Sequence, residues 1–180
     1  LEIEDMVTVR DVAAVAQRLE MVRRIATEIA EYVVELGTDG RLVALQHDEL
    51  VSGVEEGRVL IVRDHVPAAV ADVSVESVIA ALDSLSATDL LDLELVAGAF
   101  GIGGGPEGLD APVTPRGYRL LSRVPRLPEF VIDRLVDHFG DAQRLLAASI
   151  DQLQAVDGIG DTRARSVRDG LSRMVESNFR

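Results

Sequence analysis

Apolar residues recur in alternating steps of three and four along the start of the chain: Val12, Val15, Leu19, Val22, Ala26, Ile29, Val33 and Leu36. Such a stripe lines one side of a helix, and four heptads of it match the seam of a coiled coil. Thr8-Val9-Arg10-Asp11 ahead of it reads as a capping box, and Gly37 behind it as a stop. At 1.5 Å per residue this helix spans roughly 40 Å, more than a small domain can cover. Two readings stand: a helix packed within its own domain, or the spine of an oligomer. Gly37-Thr38-Asp39-Gly40 is a turn. A second amphipathic helix is expected over about 41–54, with Leu42, Leu45, Leu50, Val51 and Val54 as its apolar set. Val59-Leu60-Ile61-Val62 is a short buried helix or an isolated strand. The helix is favoured because no partner strand is evident. Ser74, Ser86 and Asp92 open further helices at about 75–85, 87–91 and 93–100.

Gly101-Ile102-Gly103-Gly104-Gly105-Pro106 interrupts the pattern. Its sixth position is proline and no strand precedes it, so it is not a dinucleotide fingerprint. It reads as a helix end running into a linker. Compact helices resume at about 116–122, 129–139, 141–148, 150–154 and 161–177, with a capping box at Ser149-Ile150-Asp151-Gln152. The fold class is all-α. A long-helix linker or spine domain over 1–112 precedes a compact domain over 113–180.

Composition narrows the chemistry. Of 180 residues, 47% are hydrophobic but only 3% aromatic, so the core is aliphatic. No cysteine is present, which removes disulfides and thiolate metal sites. No apolar run nears the roughly 20 residues that cross a bilayer, and no secretory signal is visible. A cytoplasmic protein with no membrane contact is expected. The chain begins with Leu1, as a fragment of something longer would. All 18 basic residues are arginine, so no lysine amine can act as a nucleophile. The net charge is −13, unevenly spread. Residues 1–110 hold 22 acids and 7 Arg, residues 111–180 hold 9 acids and 11 Arg. An acidic body therefore carries a mildly basic second part.

That second part contains Asp157-Gly158-Ile159-Gly160, followed by Asp161-Thr162-Arg163-Ala164-Arg165-Ser166-Val167-Arg168. Two glycines can take backbone angles closed to other residues and put no Cβ in a ligand's way. Ile159 is expected to pin the turn to the core. The helix that follows starts with free amides, where its dipole favours an anion. These residues look like the hairpin of a helix-hairpin-helix motif, which grips the phosphate backbone. The candidate DNA contacts are Gly158, Ile159, Gly160, Thr162, Arg163, Arg165 and Arg168. Nothing among them reads a base, so the expected binding is independent of sequence. Shifted by 32 residues, Val124-Pro125-Arg126-Leu127-Pro128 aligns with Val156 to Gly160. The repeat has Arg126 and Pro128 where the second copy has glycine. Proline has no amide proton, so the first hairpin is structural or assisting, with Arg126 as a helper cation and Pro128 as the first residue of the next helix.

The combination is more specific than a lone hairpin. Pro115-Arg116-Gly117-Tyr118-Arg119-Leu120-Leu121 leading into Val124–Pro128 resembles the C-terminal domain of the DNA-integrity scanning diadenylate cyclases, the DisA family. Glu4–Asp11, Val34-Glu35-Leu36-Gly37 and Ile61-Val62-Arg63-Asp64 are similar to that family's helical linker. The resemblance covers essentially the whole chain. It implies a helical spine followed by a tandem helix-hairpin-helix domain, similar to the second domain of RuvA, that contacts branched or recombining DNA. It also implies a parent protein that joins two ATP into cyclic di-AMP with Mg2+ or Mn2+, as an octamer, with recombination and repair proteins as partners. The family's ATP-holding Asp-Gly-Ala and Arg-His-Arg strings do not occur here, so no catalytic residue and no cofactor is assigned to this chain.

Two other classes are weighed beside DNA binding. A purely structural module for oligomerisation or protein interaction would use the heptad helix and treat the hairpin as a tight connection. A metal nuclease would need converging carboxylates. Glu55-Glu56, Asp89, Asp92 and Glu94 instead fall on solvated faces or helix starts, and His47, His65 and His138 are scattered.

Overall fold

The computed structural model describes residues 7–36, 40–66 and 73–178, with side chains at all of these but 50 and 175–178. The expected turn at Gly37–Asp39 and the acidic residues Glu4 and Asp5 lie outside them. The protein is all-α. Among the described residues there is no strand, and the one bridge pairs Thr8 with Pro112. Ten α-helices among the described residues divide between two compact units, Leu1–Val113 and Thr114–Arg180.

In the first unit α1 runs Val9–Glu35, with the Thr8/Asp11 capping box formed. Helices α2 (Arg41–Val51), α3 (Val54–His65), α4 (Val75–Ser84) and α5 (Leu93–Ala99) follow, with a 3-10 turn at Asp89–Leu91. The helix expected over about 41–54 ends at Val51, and Val54 opens α3 instead: Gly53 adopts φ 81°, open to glycine but strained for other residues, and separates the two. Val59–Val62 lies inside α3, which settles it as helix. The stretch expected as a helix over 87–91 is the 3-10 turn, held by reciprocal Ser86 and Asp89 bonds. The apolar core gathers Val12, Val15, Leu19, Ile61, Val62, Leu82, Leu90 and Phe100.

The seam of α1 splits along its length. Val12, Val15, Leu19 and Ala26 are buried, whereas Val22, Ile29 and Leu36 are exposed. The N-terminal half packs into the core of its unit, whereas the C-terminal half is covered only in part, by α2. Helix α2 leans on that distal half through His47, whose Nε2 lies 2.8 Å from the Ala26 carbonyl. Leu42 and Leu45, expected as the apolar set of this helix, stand in solvent.

Charge also sits in the first core. Glu20 is fully buried and Arg58 nearly so, at 0% and 4% exposed. Arg58 donates to Glu20, to Glu55 at 3.2 Å, to Asp83 at 2.6 Å and to the Ile79 carbonyl at 3.3 Å. Arg23 donates to Glu20 at 3.0 Å and to Asp83 at 2.7 Å. The network ties α1, α3 and α4 and leaves neither buried charge alone.

The second unit repeats itself. Helix α6 (Tyr118–Leu121) and α7 (Glu129–Phe139) flank the first hairpin; α8 (Ala142–Ala147) connects; α9 (Ile150–Gln154) and α10 (Asp161–Asn178) flank the second. Leu121 and Leu153, Val124 and Val156, Ile132 and Ala164, and Leu135 and Val167 are buried in equivalent places, 32 residues apart. The amides of Val124 and Val156 each bond three residues back, and those of Ile132 and Ala164 four back. Helix α10 closes onto the first hairpin at Gly170, where a Cβ would stand 3.0 Å from Val124.

Candidate nucleic-acid interface

The two hairpins share a backbone. Gly158 has φ 82°, and Arg126, its equivalent, has φ 61°. A left-handed turn is built at both, and in the first copy an arginine bears the steric cost. Gly160 takes no positive φ, so of the two glycines only Gly158 uses an angle closed to other residues. A Cβ there meets nothing within 4 Å, so what its side leaves open is the approach from solvent. Pro128 is the N-cap of α7, with φ −66° and ψ 147°, and not its first helical residue. Its ψ is extended and Glu129 begins the helix.

Ile159 is buried as expected, and its amide bonds the Val156 carbonyl at 3.1 Å. Gly160 caps α10, its carbonyl accepting from Ala164 at 3.0 Å. The amides of Gly158, Gly160, Asp161, Thr162 and Arg163 have no acceptor among the described residues. Their residues are all exposed. Five N–H groups thus crowd one end of an 18-residue helix, where partial positive charge collects.

The arginines are not equivalent. Arg163 donates to the Gly158 carbonyl at 3.0 Å and so sits over the turn. Arg165 is spent partly on Asp161, at 3.0 Å to both carboxylate oxygens. Arg168 is engaged away from the turn. Half-buried, it donates to the Leu146 carbonyl at 2.7 Å and to Ala148 at 3.4 Å. It fastens α10 to the end of α8, because those carbonyls lack helical partners. Arg126 is exposed and makes no hydrogen bond or ion pair with any described residue. Thr162 is exposed at the helix start.

Sequence reasoning missed Arg134. From α7 it donates to the Asp157 carbonyl at 2.9 Å and meets the Asp157 carboxylate at 3.1 Å. The 32-residue repeat hides it, since its counterpart is Ser166. Its only sequence signal is an arginine four residues after Phe130, whose ring it covers at 5.6 Å.

Among the described residues no three His, Cys, Asp or Glu side chains gather to hold a metal ion, and no helix is long and apolar enough to cross a membrane.

Residues 1–109 match the family model described as the DisA bacterial checkpoint controller linker region. The chain is 67% identical over 181 aligned residues to the DNA integrity scanning protein DisA of Streptomyces coelicolor, covering 99% of this chain and 48% of that protein. It is 61% identical to the protein of the same name from Frankia alni, covering 99% and 50%, and 58% identical to that of Kineococcus radiotolerans, with the same coverage. It spans about half the length of the curated relatives it matches. A linker match over most of the chain, joined to whole-chain identity at this level, places it: the chain belongs to the DisA family and corresponds to the C-terminal part of that protein.

Proposed function

We propose that this chain is the DNA-contacting and assembly portion of a DisA-like protein, gripping the phosphate backbone of branched DNA through its second hairpin. The observation that carries the reading is the row of five acceptor-less amides at Gly158 and Gly160–Arg163. Phosphate oxygens are the acceptors such a row fits. Arg163 and Arg165 stand beside it and Arg126 faces solvent from the first hairpin, whereas Arg168 contributes by holding α10 in place. The curated relatives' name, DNA integrity scanning protein, points to the same kind of ligand. Binding rests on backbone shape, so it is independent of base sequence. The parent's synthesis of cyclic di-AMP from two ATP with Mg2+ or Mn2+ belongs to this proposal for the whole protein; the strings that hold ATP are absent from these 180 residues, and no catalytic step is assigned to them.

Gly160→Asp tests the reading. The site has room for the side chain, and aspartate is a favoured N-cap, so the fold is kept or slightly stabilised. Its carboxylate would occupy the amides meant for phosphate. DNA affinity should fall at least tenfold on a four-way junction and on duplex. A folded Gly160→Asp protein with unchanged affinity for both sinks the proposal. If two or three phosphates are neutralised, wild-type affinity should fall with salt at a log–log slope of roughly −2 to −3.

A second reading, a structural module with no DNA contact, is favoured by the apolar surface of distal α1 and α2. It predicts self-association with no measurable junction binding.

A further inference from the structure

We propose that Arg134, borrowed from the first repeat, is a phosphate-binding residue of the second hairpin, and that Asp157 holds it until a DNA phosphate displaces the carboxylate. This rests on reading that hairpin as a phosphate site.

Arg134 belongs to α7, yet its guanidinium lies against the turn between α9 and α10. Nη1 is 2.9 Å from the Asp157 carbonyl and 3.1 Å from its carboxylate. An ideal Cβ on Gly158 would come within 2.4 Å of the same nitrogen. Glycine at 158 therefore does two things: it takes the left-handed angle, and it leaves the space the guanidinium fills. Arg163 donates to the next carbonyl, that of Gly158. Two cations thus bracket one turn whose outward amides are bare.

Arg134 is not used up by these bonds. A guanidinium carries five N–H donors. Only Nη1 is engaged, and Nε and Nη2 have no acceptor among the described residues. The Phe130 ring lies 5.6 Å from the guanidinium carbon and limits its wandering. Its anionic partner is loosely held. The Asp157 side chain is 93% exposed and that of Arg134 45%, a setting in which ion pairs are weak. A phosphate docking on the amides brings two-pronged, charge-assisted acceptors to the same guanidinium. The carboxylate would then face like charge, and it has open solvent into which to swing. Asp157 acts as a stand-in anion that raises the threshold for binding.

The experiment is a double-mutant cycle on the 180-residue chain, read by titration of a fluorescent four-way junction across salt concentrations. Arg134→Ala should lower affinity roughly fivefold to tenfold and make the salt slope shallower by about 1, one phosphate contact. Arg134→Lys, which keeps the charge without the fork, should restore the slope but only part of the affinity. Asp157→Asn should tighten binding by about threefold or more at low salt, and that gain should vanish in the Arg134→Ala background. Thermal unfolding confirms each variant is folded. A gain from Asp157→Asn that persists undiminished without Arg134 overturns the proposal, because the acid then acts as general charge. So does an unchanged slope in Arg134→Ala. A wild-type chain that binds neither junction nor duplex overturns the hairpin reading itself, which separates the two failures.

Discussion

Arg58 and Glu20 decide how much of the first unit rests on charge. A buried pair is weak evidence for net stability, but removing one member strands the other. Arg58→Ala leaves fully buried Glu20 with only Arg23, and leaves a void where the side chain packed. Unfolding in urea should show a loss of about 3 kcal/mol or more. Burial disfavours the Arg58 charge, but hydrogen bonding to Glu20 and the nearby carboxylates of Glu20, Asp83 and Glu55 outweigh it and hold its pKa up. Arg58 therefore keeps its charge in spite of its burial. Nothing in the spacing of Glu20 and Arg58, 38 positions apart, marks them as partners. Asp11 is the opposite case, because a local signal gave it away. The backbone N–H of Thr8 first, then the Thr8 hydroxyl, hold its carboxyl below the usual range. A folded-state pKa below the unfolded one means stability that is present above the ordinary carboxylate range and lost as pH falls through it. Thr8→Ala should cost about 1 kcal/mol at neutral pH. The deficit should shrink in acid, so that the mutant's stability-against-pH curve rises less steeply than the wild type's.

At the scale of the element, the hairpins show what a sequence repeat can and cannot carry. The 32-residue register placed Val124 on Val156 and Leu135 on Val167, because core positions obey helical spacing wherever the chain folds. Caps were equally legible at Thr8, Ser74, Asp92 and Ser149, since each is set within four residues. What lay beyond reach depends on distant partners. Arg168 gives its hydrogens to the end of α8, more than twenty residues away in sequence, and Arg134 lies beside Gly158, a partner that local spacing does not mark. The break at Gly53 was missed because apolar spacing runs through it undisturbed, and only a positive φ reveals the turn. Arg126 carries that same left-handed strain in the first hairpin. Its replacement should therefore move two measurements in opposite directions. Arg126→Gly should raise the midpoint of thermal unfolding, by an amount equivalent to about 1 kcal/mol, since the left-handed region costs a non-glycine residue about that much. The same change removes an exposed cation and should weaken DNA binding roughly threefold, with a salt slope shallower by up to about 1. A destabilised Arg126→Gly protein would mean that the side chain packs more than its exposure allows.

For the molecule as a whole, affinity has to be reconciled with a net charge of −13. On the proposed reading, one hairpin with a few cations would bind weakly, and the net acidic charge would work against it at low salt, where charges are screened least. Assembly is the physical route past this limit, since linked copies engage branched DNA with an effective concentration far above that in solution. An apolar surface that assembly would use stands on the distal half of α1. Met21, Val22, Ile25, Ile29 and Val43 are all exposed, with Ile25 at 52%. Val22, Ile25, Ala26, Ile29 and Val43, with His47 and Val51, line an apolar cleft of about 340 Å³. Apolar side chains standing this close together favour association. Ile25→Glu places a charge in the cleft without disturbing the buried seam of Val12, Val15 and Leu19. Light scattering at tens to hundreds of micromolar should show wild type heavier than one chain and Ile25→Glu closer to it. If assembly supplies the avidity, Ile25→Glu should weaken four-way junction binding by an order of magnitude or more. Its effect on a short duplex that only one hairpin can occupy should be slight. Equal losses on the two DNAs would place the defect in the fold, and a wild type that stays a single chain throughout would remove this face from any account of how the protein gains its grip.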